Sequence, residues 1–138
     1  MGYLMHWAAR LFRRLADCRL EPLGLSSGHL PVLTALIANE AMSQKALTEH
    51  AAIEQPTMAA TLARMERDGI IGRQPDPRDK RSSLFSLTPA SRQKIGALHA
   101  AVEGMNADAL AGLPEGDRER FRHMLRTVIA TLERDCRG

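Results

Sequence analysis

The apolar residues change their spacing within one stretch, residues 42–88, and that change limits the folds open to the chain. In QPTMAATLARMER, Met58, Leu62 and Met65 recur at intervals of four and three, the period of a helix with one buried stripe. Pro56 suits its first turn, where a missing N–H loses no hydrogen bond. Gly69, after Asp68, marks a left-handed helix stop. Ile70 and Ile71, and then Leu84, Phe85 and Leu87, read as two strands joined by PDPRDKRSS, a run rich in turn formers. Upstream, Ser43 can cap a shorter helix carrying Ala46, Leu47 and Ala51. The break Ala52-Ile53-Glu54-Gln55 separates the two helices, and Met42 is placed to add a third, very short strand.

Helix, turn, helix and basic hairpin, in that order, resemble the winged helix-turn-helix of the MarR family of bacterial transcriptional regulators. LTEHAAIEQPTMAATLARMERDGII is similar to the family's helix-turn-helix through its first wing strand. Asp76-Pro77-Arg78-Asp79-Lys80-Arg81 is similar to the wing tip, and Leu87-Thr88 to the end of the second wing strand and the cap of the next helix. LGLSSGHLPVLTAL resembles the family's second helix. One departure is local: after Leu-Thr the family's usual Gly is replaced, the run being LTPASRQK with Ser91.

The expected fold is therefore mainly α with a small antiparallel β wing, a winged helix-turn-helix flanked by N- and C-terminal dimerisation helices. Its 138 residues suit one domain, with a lobe over 22–88 and outer helices over 1–21 and 89–138. The first helix, residues 4–20, repeats Leu4, Ala8, Leu11, Leu15 and Cys18 at alternating fours and threes. A second begins at Leu25-Ser26, with Leu30, Leu33, Leu36 and Ile37 inward. Thr88 caps a long helix running to about Leu110, with Pro89 at its first position. The last helix, from about Glu115 to Arg134, carries Phe121, Leu125, Val128 and Leu132 on one face. Long helices at both chain ends have little else to pack on, and in the family they interlock two subunits; a monomeric bundle packed against the lobe is the alternative. Leu11, Leu15, Leu125 and Val128 are the expected interface residues.

No apolar run approaches the roughly 18 residues of a membrane span, and the N-terminus, interrupted by His6 and Arg10, lacks a secretory pattern. The cytoplasm is the expected compartment, with no membrane partner. The net charge is +3, yet residues 22–88 are neutral overall, so charge is arranged instead of abundant. Around the hairpin tip Arg73, Arg78, Lys80 and Arg81 outnumber Asp76 and Asp79. Alone, such a run reads as a solvated turn; the flanking helix and strand patterns turn the reading toward double-stranded DNA.

A recognition helix presents its first turns to base edges in the major groove. Gln55 suits bidentate pairing with adenine, Thr57 and Thr61 suit a base, a thymine methyl or a phosphate, and Arg64 suits guanine or phosphate. Plain capping by Gln55, solvent exposure of the two threonines, and an Arg64–Asp68 pair are the structural alternatives. Ser43, Gln44 and Lys45 open the preceding helix, where N–H groups and an ammonium can hold phosphate. The family resemblance points to Arg78 or Arg81 for the minor groove, with Asp76 or Asp79 pairing with one of them and stiffening the tip. Lys80 and Arg73 are phosphate candidates.

Trp7, Arg10 and His29 fall near the family's effector pocket, and an Arg with a His suits an anionic aromatic ligand; packing and surface charge are the alternative. The histidines have no local metal spacing, and no resident cofactor is implied. Cys18 lies near the end of its helix, whereas the peroxide-sensing branch uses an early cysteine; Cys18 reads as core or interface and Cys136 as a helix-end thiol. No serine, cysteine or carboxylate constellation points to catalysis. The resemblance implies a homodimeric repressor that binds a pseudo-palindromic operator and is released by an unidentified small molecule. A metal-responsive regulator and a protein-interaction module without DNA binding remain the alternatives.

Overall fold

The computed structural model describes residues 1–136. The chain forms two compact units, residues 1–102 and 103–138. In the first, α1 (Gly2–Leu20) leads through 3₁₀ turns at Glu21–Leu23 and Ser27–His29 to α2 (Leu30–Ala38). Then follow β1 (Met42–Ser43), α3 (Gln44–Ala51), α4 (Gln55–Arg67), β2 (Ile71–Asp76), β3 (Asp79–Leu87), α5 (Pro89–Gln93) and α6 (Ile95–Leu110), whose last turns belong to the second unit. That unit is completed by α7 (Glu115–Cys136). The expected mainly helical winged architecture is thus present, with a three-stranded antiparallel sheet ordered β1-β3-β2.

The core of the first unit is aliphatic, as an aromatic content of 4% requires. Leu20, Val32, Leu36, Leu47, Met58, Leu62, Met65 and Ile71 are buried, with Phe85 and Leu87 contributed by β3. At ~25 cal/mol per Å² of apolar area, each such leucine or methionine contributes ~1.5–3 kcal/mol. The short strand at Met42 pairs Met42 with Phe85 and Ser43 with Leu84, which fixes the start of α3 against the wing.

Both helices of the helix-turn-helix end in left-handed residues, by different chemistry. α4 stops at Gly69, φ +74°, where the Gly69 N–H donates to the Glu66 carbonyl and the Ile70 N–H to the Met65 carbonyl. This six-to-one, five-to-two pattern puts buried Ile70 beside buried Met65. α3 stops at Ala52, φ 51°, a conformation that crowds a Cβ.

Three expectations are corrected. Ile37 does not point inward but is exposed, while Val32 and Ala35 are buried with Leu33 and Leu36. The 3₁₀ turn at Ser27–His29 delays the α-helix to Leu30 and so rotates its buried face. The helix after the wing is not continuous: Lys94 breaks it, its N–H donating to the Ser91 carbonyl at 3.0 Å, an i to i−3 bond. The Lys94 Nζ also donates to the Leu23 carbonyl at 2.9 Å, which holds the break in place. Cys18 is exposed in the single chain, as is Cys136.

The two helix ends make opposite predictions. Gly69→Ala puts a Cβ into a left-handed residue and should destabilise by ~1 kcal/mol. Ala52→Gly relieves the same crowding at a turn of the same hand and should stabilise by up to ~1 kcal/mol, after the entropy of the more flexible unfolded chain is deducted. Urea midpoints of the two variants against wild type check both signs.

Candidate nucleic-acid interface

The site begins with Ser43, whose Oγ accepts the Ala46 N–H at 3.1 Å and so caps α3, as its position suggests. Its hydroxyl is therefore engaged inside the protein. Gln44 follows as the first residue of α3, its carbonyl accepting from the Thr48 hydroxyl at 2.8 Å. Gln55 is the first residue of α4, and the two helix starts are joined directly: the Gln44 Nε2 donates to the Gln55 Oε1 at 3.2 Å. Glu54 takes the N-cap position of α4 but makes no side-chain cap, so Gln55 is not simply a cap.

The outward face of α4 is exposed at Thr57 and Arg64, seven residues apart and on one side. Thr61 is corrected: it is buried, 7% exposed. It lies three residues from Met58 and four from Met65, within the apolar stripe, so its position outweighs its hydroxyl. The residue that takes its place on the outward face is Ala60, exposed between Thr57 and Arg64. Helical spacing alone would have found it, but a polar-residue search passes over an alanine. Alanine is a fitting neighbour for a thymine methyl. The expected Arg64–Asp68 alternative is not formed; the Asp68 carboxylate pairs with Arg67 at 3.4 Å.

On the wing the structure sorts the cations. Arg73, a phosphate candidate, is engaged within the chain. Its Nε and Nη2 donate to the two Glu66 carboxylate oxygens at 3.1 and 3.2 Å, and its guanidinium lies over the Phe85 ring, 5.0 Å from the centroid. A fork-to-fork pair of this kind offsets the charge and engages Nε and Nη2, while Nη1 keeps its donors. By contrast Lys45, Arg78, Lys80 and Arg81 are exposed and make no ion pair among the described residues.

Asp76 and Asp79 do stiffen the tip, but not by pairing with an arginine side chain. Asp76 Oδ1 accepts the Arg78 backbone N–H, and Asp79 Oδ1 accepts the Arg81 backbone N–H, each at 2.9 Å. Each aspartate binds the chain two residues on, the local turn that aspartate favours. Lys45, Arg73 and Arg81 line, with Gln44, Ser82, Ser83 and Phe85, a cleft of about 210 Å³ between the start of α3 and the wing. The pairing of β1 with β3 is what brings these distant residues to one place.

Trp7, Arg10 and His29 are not gathered into one pocket within a chain. Trp7 packs against Tyr3 with the rings tilted 54° and centroids 5.7 Å apart, and Arg10 is exposed one turn later. His29 instead sits by the far end of α1, where the Ser27 N–H donates to the Asp17 carboxylate at 2.7 Å. Ten residues of helix, roughly 15 Å, separate Trp7 from Asp17. The His29 Nδ1 accepts the Ser26 N–H at 3.1 Å and closes the turn that opens α2. Burial pushes the His29 imidazole below its ordinary pKa; Arg64 lowers it further, while Asp68 and Asp17 oppose. The Ser27 backbone N–H, then the Ser27 hydroxyl, hold the Asp17 carboxyl below its ordinary value. Among the described residues no group of three His, Cys, Asp or Glu could hold a metal ion.

Known proteins share both this fold and this sequence pattern. The profile of the MarR family matches residues 25–83. The uncharacterized HTH-type transcriptional regulator YwoH of Bacillus subtilis (strain 168) is 32% identical over 122 residues, 88% of each chain. The chain belongs to the MarR family. Its fold is shared with a cysteine-to-serine mutant of MarR from E. coli, solved in complex with operator DNA: TM-score 0.84, 22% identity, 92% of this chain and 91% of that one. It is shared too with BpsR of Bordetella bronchiseptica, solved in a study of how 6-hydroxynicotinic acid regulates its DNA binding: TM-score 0.81, 24% identity, 92% and 96% covered. As a MarR-family transcriptional regulator the chain has its sequence-expected fold, and among the described residues no helix is long and apolar enough to cross a membrane.

His29 makes stability depend on pH in a definite direction. A histidine with a depressed folded pKa contributes stability that is complete above its unfolded value of about 6.5 and is lost as pH falls toward the folded value. Protonation also removes the Nδ1 acceptor that Ser26 uses. Urea stability of wild type should therefore drop between pH 7.5 and 5.5. In His29→Gln, whose amide oxygen can still accept but does not titrate, the difference between those two pH values should shrink.

Proposed function

We propose that this chain is a homodimeric, sequence-specific DNA-binding repressor whose α4 enters the major groove while the tip between β2 and β3 lies alongside. The observation that carries this reading is the distribution of cations outside ion pairs. Lys45 at the start of α3 and Arg78, Lys80 and Arg81 on the wing are all exposed and outside ion pairs among the described residues, whereas Arg73 is paired with Glu66. Such cations release counterions when they meet phosphates, and fix register without reading sequence. Gln55, Thr57 and Arg64, with Ala60 between, supply the base-reading face. The operator complex formed by the E. coli MarR mutant supports the same use of the fold.

The dimer is supported by apolar surface that a single chain leaves in water. Leu4, Trp7 and Leu11 on α1, and Met124, Leu125, Ile129 and Leu132 on α7, are all exposed. Leu15 on α1 and Val128 on α7 are half-buried. Faces of this kind mark interaction surfaces. Two copies related by a two-fold axis would set two α4 helices about one DNA turn apart, ~34 Å, and so require a pseudo-palindromic site. Release by a small molecule is supported by BpsR, whose DNA binding 6-hydroxynicotinic acid regulates. The ligand must bind the DNA-incompetent arrangement more tightly.

Affinities over a salt series, for a selected operator and a scrambled duplex, test the reading. Lys80→Ala should weaken both duplexes about equally and reduce the slope of log affinity against log salt by about one. Arg78→Ala and Arg81→Ala should do the same and relax any A·T preference under the wing. Gln55→Ala should cost ~1–3 kcal/mol on the operator alone, with the slope unchanged. If no wing variant alters the slope, the wing is outside the interface.

Assembly is tested separately by sedimentation. Wild type should sediment as a dimer at micromolar concentration, and a Leu11→Asp, Leu125→Asp double variant as a monomer with its winged lobe still folded. A wild-type monomer that binds a two-half-site operator tightly would overturn the dimer.

A further inference from the structure

We infer that Gln44, on the helix before α4, is a positioning residue that holds the Gln55 amide in one orientation, ready to meet DNA. The inference rests on the DNA-reading role given to α4 above. A glutamine amide has an acceptor end and a donor end, and turning it over exchanges them. A free Gln55, exposed at the first position of α4, would present either end and would have to be ordered on binding. In the structure the choice is already made. The Gln44 Nε2 donates to the Gln55 Oε1 at 3.2 Å, so the oxygen is held on the side of α3 and the Gln55 NH₂ is left to point away.

Both partners stand on fixed backbone. Gln44 opens α3 directly after the Ser43 cap, and its carbonyl is bonded by the Thr48 hydroxyl. Gln55 opens α4 directly before Pro56, whose ring fixes its own φ and restricts the residue preceding it. The separation of eleven residues is the span of α3 plus the turn at Ala52, so this turn geometry sets the distance between the two amides. The Gln55 oxygen keeps a second lone pair. The oriented amide can therefore donate to a purine N7 and accept from an adenine N6 amino group at once, the bidentate match for adenine. A site that closes over this pair also removes competing water and strengthens it.

The test uses the full-length protein and an operator duplex selected from a random pool by wild type, with a scrambled duplex as control. The reading is the ratio of operator to scrambled affinity, which cancels any change common to both. Gln44→Ala should lower that ratio roughly three- to tenfold, the effect of leaving one long side chain to be ordered on binding. Gln55→Ala should lower it roughly five- to a hundredfold, and the double variant no further than Gln55→Ala alone. Gln44→Glu separates positioning from a role in helix stability. An acid at this helix start suits the dipole, so the melting temperature should hold or rise. The carboxylate introduced by Gln44→Glu only accepts, so it can hold Gln55 only through the amide NH₂, in the reversed orientation, and the ratio should nevertheless fall. Equal losses on both duplexes for Gln44→Ala, or losses that add in the double variant, would overturn the proposal while leaving α4 in the groove. Failure of wild type to select any operator would overturn the DNA-reading role itself, a different result.

Discussion

Two hydroxyl groups hold the working parts of this protein together. The Thr88 Oγ1 donates to the Gly69 carbonyl at 2.8 Å, and the Ser91 Oγ donates to the Ile70 carbonyl at 2.7 Å. The Thr88 Oγ1 in turn accepts the Ser91 N–H and caps α5. Gly69 and Ile70 are the residues at which the chain leaves α4 and enters β2, so their carbonyls face neither a helix nor a full ladder. Each bond is worth only ~1 kcal/mol net, and the Ile70 carbonyl also accepts the Thr88 N–H at 3.2 Å. The same four residues join the end of the reading helix, both wing strands and the next helix. Ser91 at the family's usual glycine position therefore adds a bond that glycine could not make.

Where local chemistry decides an outcome, the sequence is legible. The Ser43 and Thr88 caps, the Gly69 stop and the apolar stripe of α4 each depend on residues within a few positions. The existence of the wing follows for the same reason, but not its boundaries: the run PDPRDKRSS reads as a turn, yet β2 extends to Asp76 and β3 begins at Asp79. Thr61 lay within reach of the same logic, since its spacing from Met58 and Met65 places it on the buried stripe. Side-chain polarity suggested the outward face instead.

The parts that were not legible depend on distance along the chain. Arg73 meets Glu66 only because the turn at Gly69 folds β2 back beside α4, and meets Phe85 only through strand register. The interruption at Lys94 depends on a carbonyl 71 residues earlier. The charge pattern is a mixture of the two. That the wing is basic can be read directly, but which cations are free depends on tertiary partners. The aspartates of the tip are turned to backbone N–H groups, and so the neighbouring guanidinium groups are left outside ion pairs.

The outer strand of the wing has a further consequence. β2 lies at the edge of the sheet, with its free side unpaired, and an edge of this kind is a template on which a strand of another chain could add. Pro75 lacks the N–H such an addition would use, and the register shifts between Pro75 and Asp76. Exposed Arg73 and Gln74 precede it. The edge is short, bent and polar, so a second wing gains little by stacking along it. The wing is thereby kept from polymerising through its sheet.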